Sequence, residues 1–473
     1  MKDILKNISN PVFDLIKSEA SALGIDTYLV GGYVRALIMK RNNTDIDVVC
    51  IGNGIDLAKN TAKAIDKKLN VSIYKRFGTA HFNWKGIDYE FVGARKESYS
   101  KDSRKPDVVP GTLEDDQNRR DFTINAMGIS LNSGDYGCLL DPFNGVKDIN
   151  KKILITPLDP DITFSDDPLR MIRAVRFASQ LNFSITKDTF DGIKRNVDRI
   201  KIVSQERITD ELQKIMASPK PSVGLNLLFD SGLLKIIFPE LHALQGVKVI
   251  NKFKHKDNFY HTLQVIDNVA DVSENIWLRW AALLHDIGKD ETKRITTNGW
   301  TFHSHEVVGS RMTVEIFKRL KLPLNSKMKY VKKLVYLHLR PIGLAKEAVT
   351  DSGIRRLIFE AGENLDALLI LCRADITSKN ESKVIKYLSN FDRVEKRCIE
   401  VDKKDRLKNW QPPVSGQIIM DTFQIGPSKE VGIIKTAIRE AILDGIIENK
   451  QKDAYNFMLK TGQNLGLIIN KKP

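Results

Sequence analysis

The stretch Thr27-Tyr28-Leu29-Val30-Gly31-Gly32-Tyr33-Val34-Arg35, followed ten residues after its arginine by Asp45-Ile46-Asp47-Val48-Val49-Cys50, decides the fold of the first third of the chain. It predicts an apolar strand, a glycine turn, a short helix and a second strand, which is the order of a mixed α/β fold. A further strand is predicted at 86–94, and two short elements follow at FTINAMGISL and GCLLDPF. The mixed head is therefore expected to end near residue 155.

Beyond the head, the hydrophobic pattern becomes helical almost throughout. A helix is predicted to begin at Ser165-Asp166-Asp167-Pro168, where capping residues precede a proline in the first turn. The predicted fold class is α+β, with a mixed α/β head followed by an all-helical neck, body and tail. Breaks in the pattern divide the chain into 1–155 (head), 156–222 (neck), 223–400 (body) and 401–473 (tail).

The head contains paired carboxylates. Alternation along a strand points Asp45 and Asp47 to the same face, where they can hold two Mg²⁺ ions, and Glu90 on the next predicted strand is a candidate third catalytic carboxylate. The pair Gly31-Gly32 lets the backbone approach a triphosphate closely, and Arg35 can pair with its phosphates. A surface Asp-x-Asp or a glycine turn is common by itself, but the two in this order and spacing indicate nucleotidyl transfer.

Two arginine-rich motifs accompany the carboxylates. In Arg119-Arg120-Asp121-Phe122-Thr123-Ile124-Asn125, the arginine pair can reach a triphosphate or sugar while Asp121 orients it. In the second motif, Asp167 and Arg170 are three residues apart and are expected to lie one above the other on a helix, with Arg173 and Arg176 continuing the stripe. Taken alone, this stripe is better explained by i,i+3 salt bridges on a solvated helix face.

Together, these motifs resemble the class II tRNA nucleotidyltransferases, which include the CCA-adding enzymes and bacterial poly(A) polymerases. The resemblance covers about residues 25–215 and implies a head that adds CCA to tRNA from CTP and ATP without a nucleic-acid template. It implies that Asp45 and Asp47 ligate Mg²⁺, and that Asp167 and Arg170 select the base. The implied nucleotide-binding residues, with those that the motifs add, are Gly31, Gly32, Arg35, Arg120, Asp121, Asn125, Asp167, Arg170, Arg173 and Arg176. The chain departs from the family at Ala36, where aspartate is usual.

A set of histidines and aspartates marks the second half of the chain. A lone histidine on a helix is usually structural, but His285-Asp286 followed by Ile-Gly-Lys is harder to explain that way. The order of these residues resembles the HD phosphohydrolase superfamily over about residues 255–380. The resemblance implies a bound divalent metal of unknown identity, with hydrolysis as a weaker expectation. The implied ligands are His261, His285, Asp286, His305, His338 and Asp375.

Composition limits the partners. A net charge of +15 and a pI near 9.4 favour a polyanion, which agrees with tRNA as the expected macromolecular partner and with CTP and ATP as substrates. No apolar run approaches the length of a membrane span, and the N-terminal sequence does not resemble a secretory signal. The four cysteines lack Cys-x-x-Cys spacing and are expected to be reduced thiols, so a cytoplasmic protein is predicted. No obligate protein partner is evident.

Several functions share these motifs. Complete CCA addition is favoured over partial CC or A addition because the basic segment at 95–112, predicted to be a mobile loop, is present with Arg95, Glu97 and Arg104. It is favoured over poly(A) addition because the C-terminal tail, a candidate tRNA contact, is modest. A different class of function is an HD phosphohydrolase whose head binds a regulatory nucleotide, and a third is passive RNA binding. Intact Asp45 and Asp47 argue against both.

Overall fold

The computed structural model describes residues 10–75, 78–98, 107–246, 249–250, 253–254, 257–297, 299–346, 350–377, 380–405 and 412–470. It divides into two units, Met1–His242 and Ala243–Pro473, each with its own core. Arg104 lies outside the described residues.

The first unit is built on a seven-stranded sheet of order β3-β4-β5-β2-β1-β8-β9. All neighbouring strands are antiparallel except β2 and β5, which are parallel. Its strands are β1 (Thr27–Val30), β2 (Asp45–Cys50), β3 (Ser72–Tyr74), β4 (Thr79–Trp84), β5 (Ile87–Gly93), β8 (Gly128–Ser130) and β9 (Leu139–Leu140). Three further strands of the head lie outside this sheet, namely β6 (Arg95–Ser98), β7 (Asp107–Pro110) and β10 (Ile153–Leu154). Its helices are α1 (Pro11–Leu23), α2 (Gly31–Ile38), α3 (Gly54–Ile65), α4 (Leu113–Asn118) and α5 (Gly145–Lys151), with a 3₁₀ turn at Thr123–Asn125.

The central strand β2 carries both the core and the site. Ile46, Val48 and Val49 are buried, whereas Asp45 is exposed and Asp47 is half-buried. Because side chains alternate along a strand, the acidic and apolar residues at the start of β2 point to opposite faces of the sheet. Helix α2 follows β1 without a loop, so that its first residue, Gly31, is next to the sheet edge at which β2 begins.

The rest of the first unit is helical. A short parallel pair joins β10 to β11 (Ser184–Ile185). The helices are α6 (Pro160–Asp166), α7 (Leu169–Leu181), α8 (Lys187–Asn196), α9 (Gln205–Met216), α10 (Pro221–Asp230), α11 (Leu233–Ile237) and α12 (Pro239–Ala243), with a 3₁₀ segment at Val197–Ile202. Helix α7 is the central one, since ten of its thirteen residues are buried, including Arg170 and Arg176.

The second unit is also mainly helical. Its short strand pairs are β12 (Val249–Ile250) with β13 (Phe253–Lys254), and β14 (Arg294–Thr296) with β15 (Gly299–Thr301). Its helices are α13 (Asn258–Ala270), α14 (Ile276–Leu284), α15 (Lys289–Thr292), α16 (His305–Arg319), α17 (Ser326–Leu337), α18 (Leu339–Lys346), α19 (Asp351–Ala361), α20 (Leu365–Asp375), α21 (Glu381–Asp405), α22 (Gly416–Phe423), α23 (Lys429–Leu443) and α24 (Gln451–Asn464), with a 3₁₀ turn at Gly362–Asn364. The last three helices share a small apolar core of their own.

The fold class predicted from the sequence is confirmed as a mixed α/β head with a mostly helical remainder. The remainder is not entirely helical, because short strand pairs interrupt it. The expected loop at 95–112 begins and ends with β6 and β7, which pair as antiparallel strands, and residues 99–106 between them lie outside the described part. No helix among the described residues is both long and apolar enough to cross a lipid bilayer.

Candidate active site and candidate metal centre

The sheet brings three carboxylates together at one edge of a cleft. The parallel register pairs Asp47 with Glu90, and Asp45 is two residues before Asp47 on the same face of β2. The cleft has a volume of about 740 Å³. Every residue that the sequence predicts for the metal and nucleotide sites of the head lines it, namely Asp45, Asp47, Glu90, Gly31, Gly32, Arg35, Arg120, Asp121, Asn125, Asp167, Arg170, Arg173 and Arg176.

Gly31 allows the backbone to pass directly beside the carboxylate of Asp47. Its φ is +72°, and a Cβ atom there would lie 2.7 Å from Oδ2 of Asp47 and 3.1 Å from Nη1 of Arg120. A side chain would therefore be both strained and in steric conflict with Asp47. Burial raises the pKa of Asp47 to about 6, an effect that Arg120 opposes and Glu90 and Asp45 reinforce. Converging carboxylates of this kind favour a bound cation, and oxygen ligands suit Mg²⁺.

The arginine pair is held by an acid that the sequence analysis missed. Asp116 is fully buried on α4 and accepts hydrogen bonds from Nε of both Arg119 and Arg120, at 3.0 Å in each case. The two arginines lower its pKa despite its burial, so the carboxylate stays ionised. The signal was present in the sequence, because Asp116 precedes Arg119 by three residues and Arg120 by four.

A second buried acid, Asp121, anchors further side chains of the cleft. Oδ2 of Asp121 accepts from Nε of Arg173 at 2.7 Å, and Oδ1 accepts from Nδ2 of Asn125 at 2.8 Å. Burial alone would raise the pKa of Asp121, but Arg173 and Asn125 lower it to about 2. Oδ1 of Asn125 in turn accepts a hydrogen bond from Arg35. Asp121 and Asn125 therefore position arginines in the cleft.

Three of these arginines surround one aromatic ring. The guanidinium carbons of Arg35, Arg173 and Arg176 lie 4.8, 5.4 and 4.1 Å from the ring centroid of Phe177. Arg176 also forms an ion pair with buried Glu211, with Nε 2.9 Å from Oε2. Burial, together with the other arginines, lowers the pKa of Arg35 to about 10 although Asp121 opposes the shift. Phe177 was quoted in the sequence motif without a role.

Asp167 and Arg170 both line the cleft, but they do not form the expected helical stripe. Asp167 lies in extended backbone between α6 and α7, where Oδ1 accepts from the backbone N–H of Leu169 at 3.2 Å. Its Oδ2 lies 3.2 Å from Nη2 of Arg207. Arg170, in the first turn of α7, donates to the carbonyls of Thr163 and Arg119. The prediction failed because Pro168 interrupts the helix between the two residues.

The cleft also contains residues that no motif singled out. Arg41 and Asn43 lie on the segment between α2 and β2, and Oδ1 of Asn43 accepts from the backbone N–H of Asp45 at 3.0 Å. Lys40 has a left-handed φ of +55°, and Arg41 after it donates from its backbone to the carbonyl of Ala36 at 2.9 Å. This turn ends α2 and brings Arg41 to the cleft. No periodicity in the sequence marks such a turn when glycine is absent.

In the second unit, the predicted histidines and aspartates converge. They come from α13 (His261), the end of α14 (His285 and Asp286), the start of α16 (His305), the end of α17 (His338) and the end of α20 (Asp375). Two groups of three share one carboxylate, namely His261, His285 and Asp286, and Asp286, His305 and His338. Asp375 Oδ1 lies 2.8 Å from Nε2 of His261. All six predicted side chains therefore belong to one cluster.

Hydrogen bonds outside the cluster orient the histidines. Nδ1 of His285, His305 and His338 lies 2.7, 2.8 and 2.6 Å from the backbone carbonyls of Ala282, Phe302 and Val335. Because a carbonyl accepts, Nδ1 carries the proton in each of the three rings, and in a neutral ring the lone pair of Nε2 faces the carboxylates. Nε2 of His285 is buried and has no hydrogen-bond partner in the described part of the chain.

This donor set fits a divalent cation. Burial lowers the pKa of His285, but Asp286 and Asp375 outweigh it and raise the pKa to about 10. Burial also lowers the pKa of His338 to about 4, which keeps that ring a neutral nitrogen donor. The cluster thus stabilises positive charge at its centre while offering nitrogen and oxygen ligands, as metal sites do.

Three segments of the chain match known families. Residues 27–155 match the family described as "Poly A polymerase head domain", and residues 182–245 match "Probable RNA and SrmB- binding site of polymerase A". Residues 258–380 match "HD domain". Nucleotidyltransferase and HD families depend on divalent metals.

Among curated proteins, the chain is similar to the A-adding tRNA nucleotidyltransferases of Aquifex aeolicus and Deinococcus radiodurans. The Aquifex protein is 30% identical over 382 residues, and the match covers 72% of this chain and 44% of that relative. The Deinococcus protein is 31% identical over 358 residues, and the match covers 73% of this chain and 78% of that relative. The chain is also similar to the multifunctional CCA protein of Vibrio parahaemolyticus, at 30% identity over 369 residues, or 74% and 85%. The chain thus spans less than half of the Aquifex relative and most of the other two.

A solved structure shows the same fold. The Bacillus stearothermophilus CCA-adding enzyme, solved in complex with CTP, is matched over 97% of this chain and 99% of that chain, with a TM-score of 0.66 and 24% identity.

The histidine cluster predicts tightly retained metal. Changing both His285 and Asp286 to alanine removes two of the three ligands of one group and one of the other. The metal that stays bound through gel filtration, measured by elemental mass spectrometry, should therefore fall to background. The variant His303→Ala removes an exposed histidine outside the cluster and should retain the wild-type content. An unchanged content in the double variant would refute the site.

Proposed function

Because this chain belongs to the tRNA nucleotidyltransferase family with a poly(A) polymerase head, we propose that it adds the nucleotides CCA to the 3′ end of tRNA from CTP and ATP. The observation that supports this most is that one cleft contains both a carboxylate row and an arginine wall. The carboxylate row is Asp45, Asp47 and Glu90, and the arginine wall is Arg35, Arg119, Arg120, Arg173 and Arg176. The row provides metal ligands, and the wall provides binding groups for a polyphosphate. A passive RNA-binding protein needs no such row of carboxylates.

The residues of the cleft have separable roles in this proposal. The backbone N–H groups at the start of α2, Gly31 and Gly32, face a triphosphate, and Arg35 and Arg120 neutralise its charge. Asp45 and Asp47 hold Mg²⁺, with Glu90 beside them as the third carboxylate. Magnesium bound there would polarise the α-phosphate, lower the pKa of the attacking 3′-hydroxyl and stabilise the leaving pyrophosphate.

Base selection is assigned to Asp167 and Arg170. Cytosine and adenine both present an amine donor beside a ring-nitrogen acceptor, whereas uracil and guanine present a carbonyl where the amine would be. A carboxylate and a guanidinium complement the first pattern. The contacts of Asp167 with Leu169 and Arg207, and those of Arg170 with two backbone carbonyls, fix both side chains while leaving further lone pairs and N–H groups for a base.

Addition of A alone is the second candidate for the head, because the Aquifex and Deinococcus relatives are A-adding enzymes. A metal-dependent phosphohydrolase activity is a separate proposal for the second unit, supported by the shared carboxylate of Asp286 between two groups of histidines.

The first test uses purified protein, Mg²⁺ and tRNA transcripts that end at the discriminator base or after CC. We expect three nucleotides to be added to the shorter transcript only when CTP and ATP are both present. Addition of A solely to the transcript ending in CC would identify an A-adding enzyme, and long A tails a poly(A) polymerase. Phosphate release without extension would contradict nucleotidyl transfer.

The same assay tests the carboxylate row. Asp45→Ala combined with Asp47→Ala should reduce the extension rate by more than about a thousandfold, because the ligands that gather metal around the triphosphate are lost. Asp88→Ala removes a carboxylate from the strand that carries Glu90 without removing a residue of the cleft, and is the matched control. Extension at the normal rate by the double variant would contradict the proposal.

Base selection has its own prediction. Asp167→Ala combined with Arg170→Ala should raise UTP and GTP incorporation relative to CTP and ATP by about tenfold or more, since each lost hydrogen-bonding group discriminates by about 1–3 kcal/mol. The ratio of kcat/KM values measures this directly. If the double variant still rejects UTP and GTP as the wild type does, selection lies elsewhere.

A further inference from the structure

The second unit contains a strongly basic segment. Residues 316–345 contain eight lysines and arginines and no aspartate or glutamate. They form the end of α16, the turn after it, all of α17 and most of α18. In a chain with 74 basic and 59 acidic residues, a run of this length without a single acid is a strong local charge asymmetry.

Helix α17 gathers part of this charge on one face. Lys329, Lys332, Lys333 and Tyr336 follow the i, i+3, i+4, i+7 spacing, which places them together on one side of the helix. Lys329, Lys332 and Tyr336 are exposed, and Lys333 is half-buried. The opposite side is the core side, where Val331, Leu334 and Val335 are buried. These four exposed or half-buried residues define the α17 basic face.

The charges of this face are not neutralised from within. Among the described residues, neither Lys329 nor Lys332 nor Lys333 has an acidic group within 4.0 Å. Acidic side chains do pair with neighbouring cations, as Glu315 does with Lys318 and Glu360 with Arg340. Like charges held side by side on a rigid helix repel each other, so this arrangement favours an anionic partner.

We propose that the α17 basic face binds the phosphate backbone of RNA. The face extends about 10 Å along the helix axis, which matches about three nucleotide steps of a stacked strand. Tyr336, with 41% of its surface exposed, lies at the C-terminal end of the row of lysines and offers a ring for base or ribose contact. The choice of RNA among polyanions rests on the proposed function, whereas the charge and exposure of the face do not.

The test is the binding of a tRNA transcript to the full chain without nucleotides. Changing Lys329, Lys332 and Lys333 together to alanine should raise the dissociation constant about tenfold and reduce the slope of log K against log salt by about two to three. The control changes Lys383, Lys386 and Lys396, which are exposed lysines on α21 of the same unit, and should leave both values near those of the wild type.

Three results would overturn the proposal. They are a wild-type affinity and salt slope in the α17 variant, an equal loss in the α21 control, or binding of the wild type to phosphatidylglycerol vesicles that is lost in the α17 variant while RNA binding is kept. Melting temperatures of all variants show whether folding is intact. Because no nucleotide is added, failure of this proposal is distinct from failure of nucleotidyl transfer.

A different observation carries a second inference, which rests on the proposed function. The geometry points to Phe177 as a positioning residue for the nucleotide-binding arginines. Its ring is 5% exposed and packs edge-on against Phe122, at 5.8 Å between centroids, so it is fixed in the core. Three guanidinium groups lie around this ring, and the ring's negative face attracts each cation that lies over it.

Fluorination separates this electrostatic role from simple packing. Replacing Phe177 with mono-, di- and trifluorophenylalanine weakens the negative face of the ring stepwise while nearly keeping its shape. The dissociation constants of CTP and ATP, measured by calorimetry with Mg²⁺, should rise with each step and reach about tenfold for the trifluoro variant. Fluorination of Phe190, whose ring lies under Lys194 on α8, is the matched control and should have no effect.

A flat series at Phe177 with an unchanged melting temperature would contradict the positioning role. A wild-type chain that bound neither nucleotide would contradict the proposed function itself, so the two failures are distinguishable.

Discussion

The close approach of the Gly31 backbone to the carboxylate of Asp47 constrains the whole head. Because α2 begins immediately after β1, its first residue must pass Oδ2 of Asp47, and only a residue without a Cβ fits there. This one close approach places the N-terminal N–H groups of α2 beside the carboxylates of β2 and β5. The same glycine also lies close to Arg120, so that three elements of the head meet at Gly31. The proposed metal-binding and phosphate-binding groups of the cleft therefore share one structural origin.

The arginine wall gathers positive charges that repel one another, and separate buried acids hold these arginines in place. Asp116 holds Arg119 and Arg120, Asp121 holds Arg173, and Glu211 holds Arg176. Each of these acids is buried, where an ion pair is strong but an unpaired charge is costly. The anchors fix these arginines, and the ring of Phe177 lies close to two of them, Arg173 and Arg176, as well as to Arg35. The wall is thus ordered before any ligand binds.

The sequence predicted the parts of the site that depend on local periodicity. The same-face arrangement of Asp45 and Asp47 follows from strand alternation. The glycine pair was predicted to form a turn before the helix, but it forms the first residues of α2 itself. The ends of five helices meet at the histidine cluster, which local pattern alone does not determine; there the prediction depended on the resemblance to a known superfamily. Asp167 was misplaced because Pro168 breaks the helix before Arg170, and Asp116 was overlooked because its partners are arginines already assigned to the ligand.

The anchors also explain why opposite charges can share the cleft without neutralising each other. In the described part of the chain, Asp45, Asp47 and Glu90 have no ion pair within 4.0 Å, although arginines line the same cleft. Without Asp116, the nearest acid with which Arg120 could pair would be Asp47, because both side chains lie close to Gly31. The buried acids behind the wall therefore keep the carboxylate row free for cations, and by the same contacts keep the arginines oriented for phosphates. In the proposed function, a nucleotide bound with metal ions would satisfy both excesses of charge at once, which neither half of the cleft can do alone.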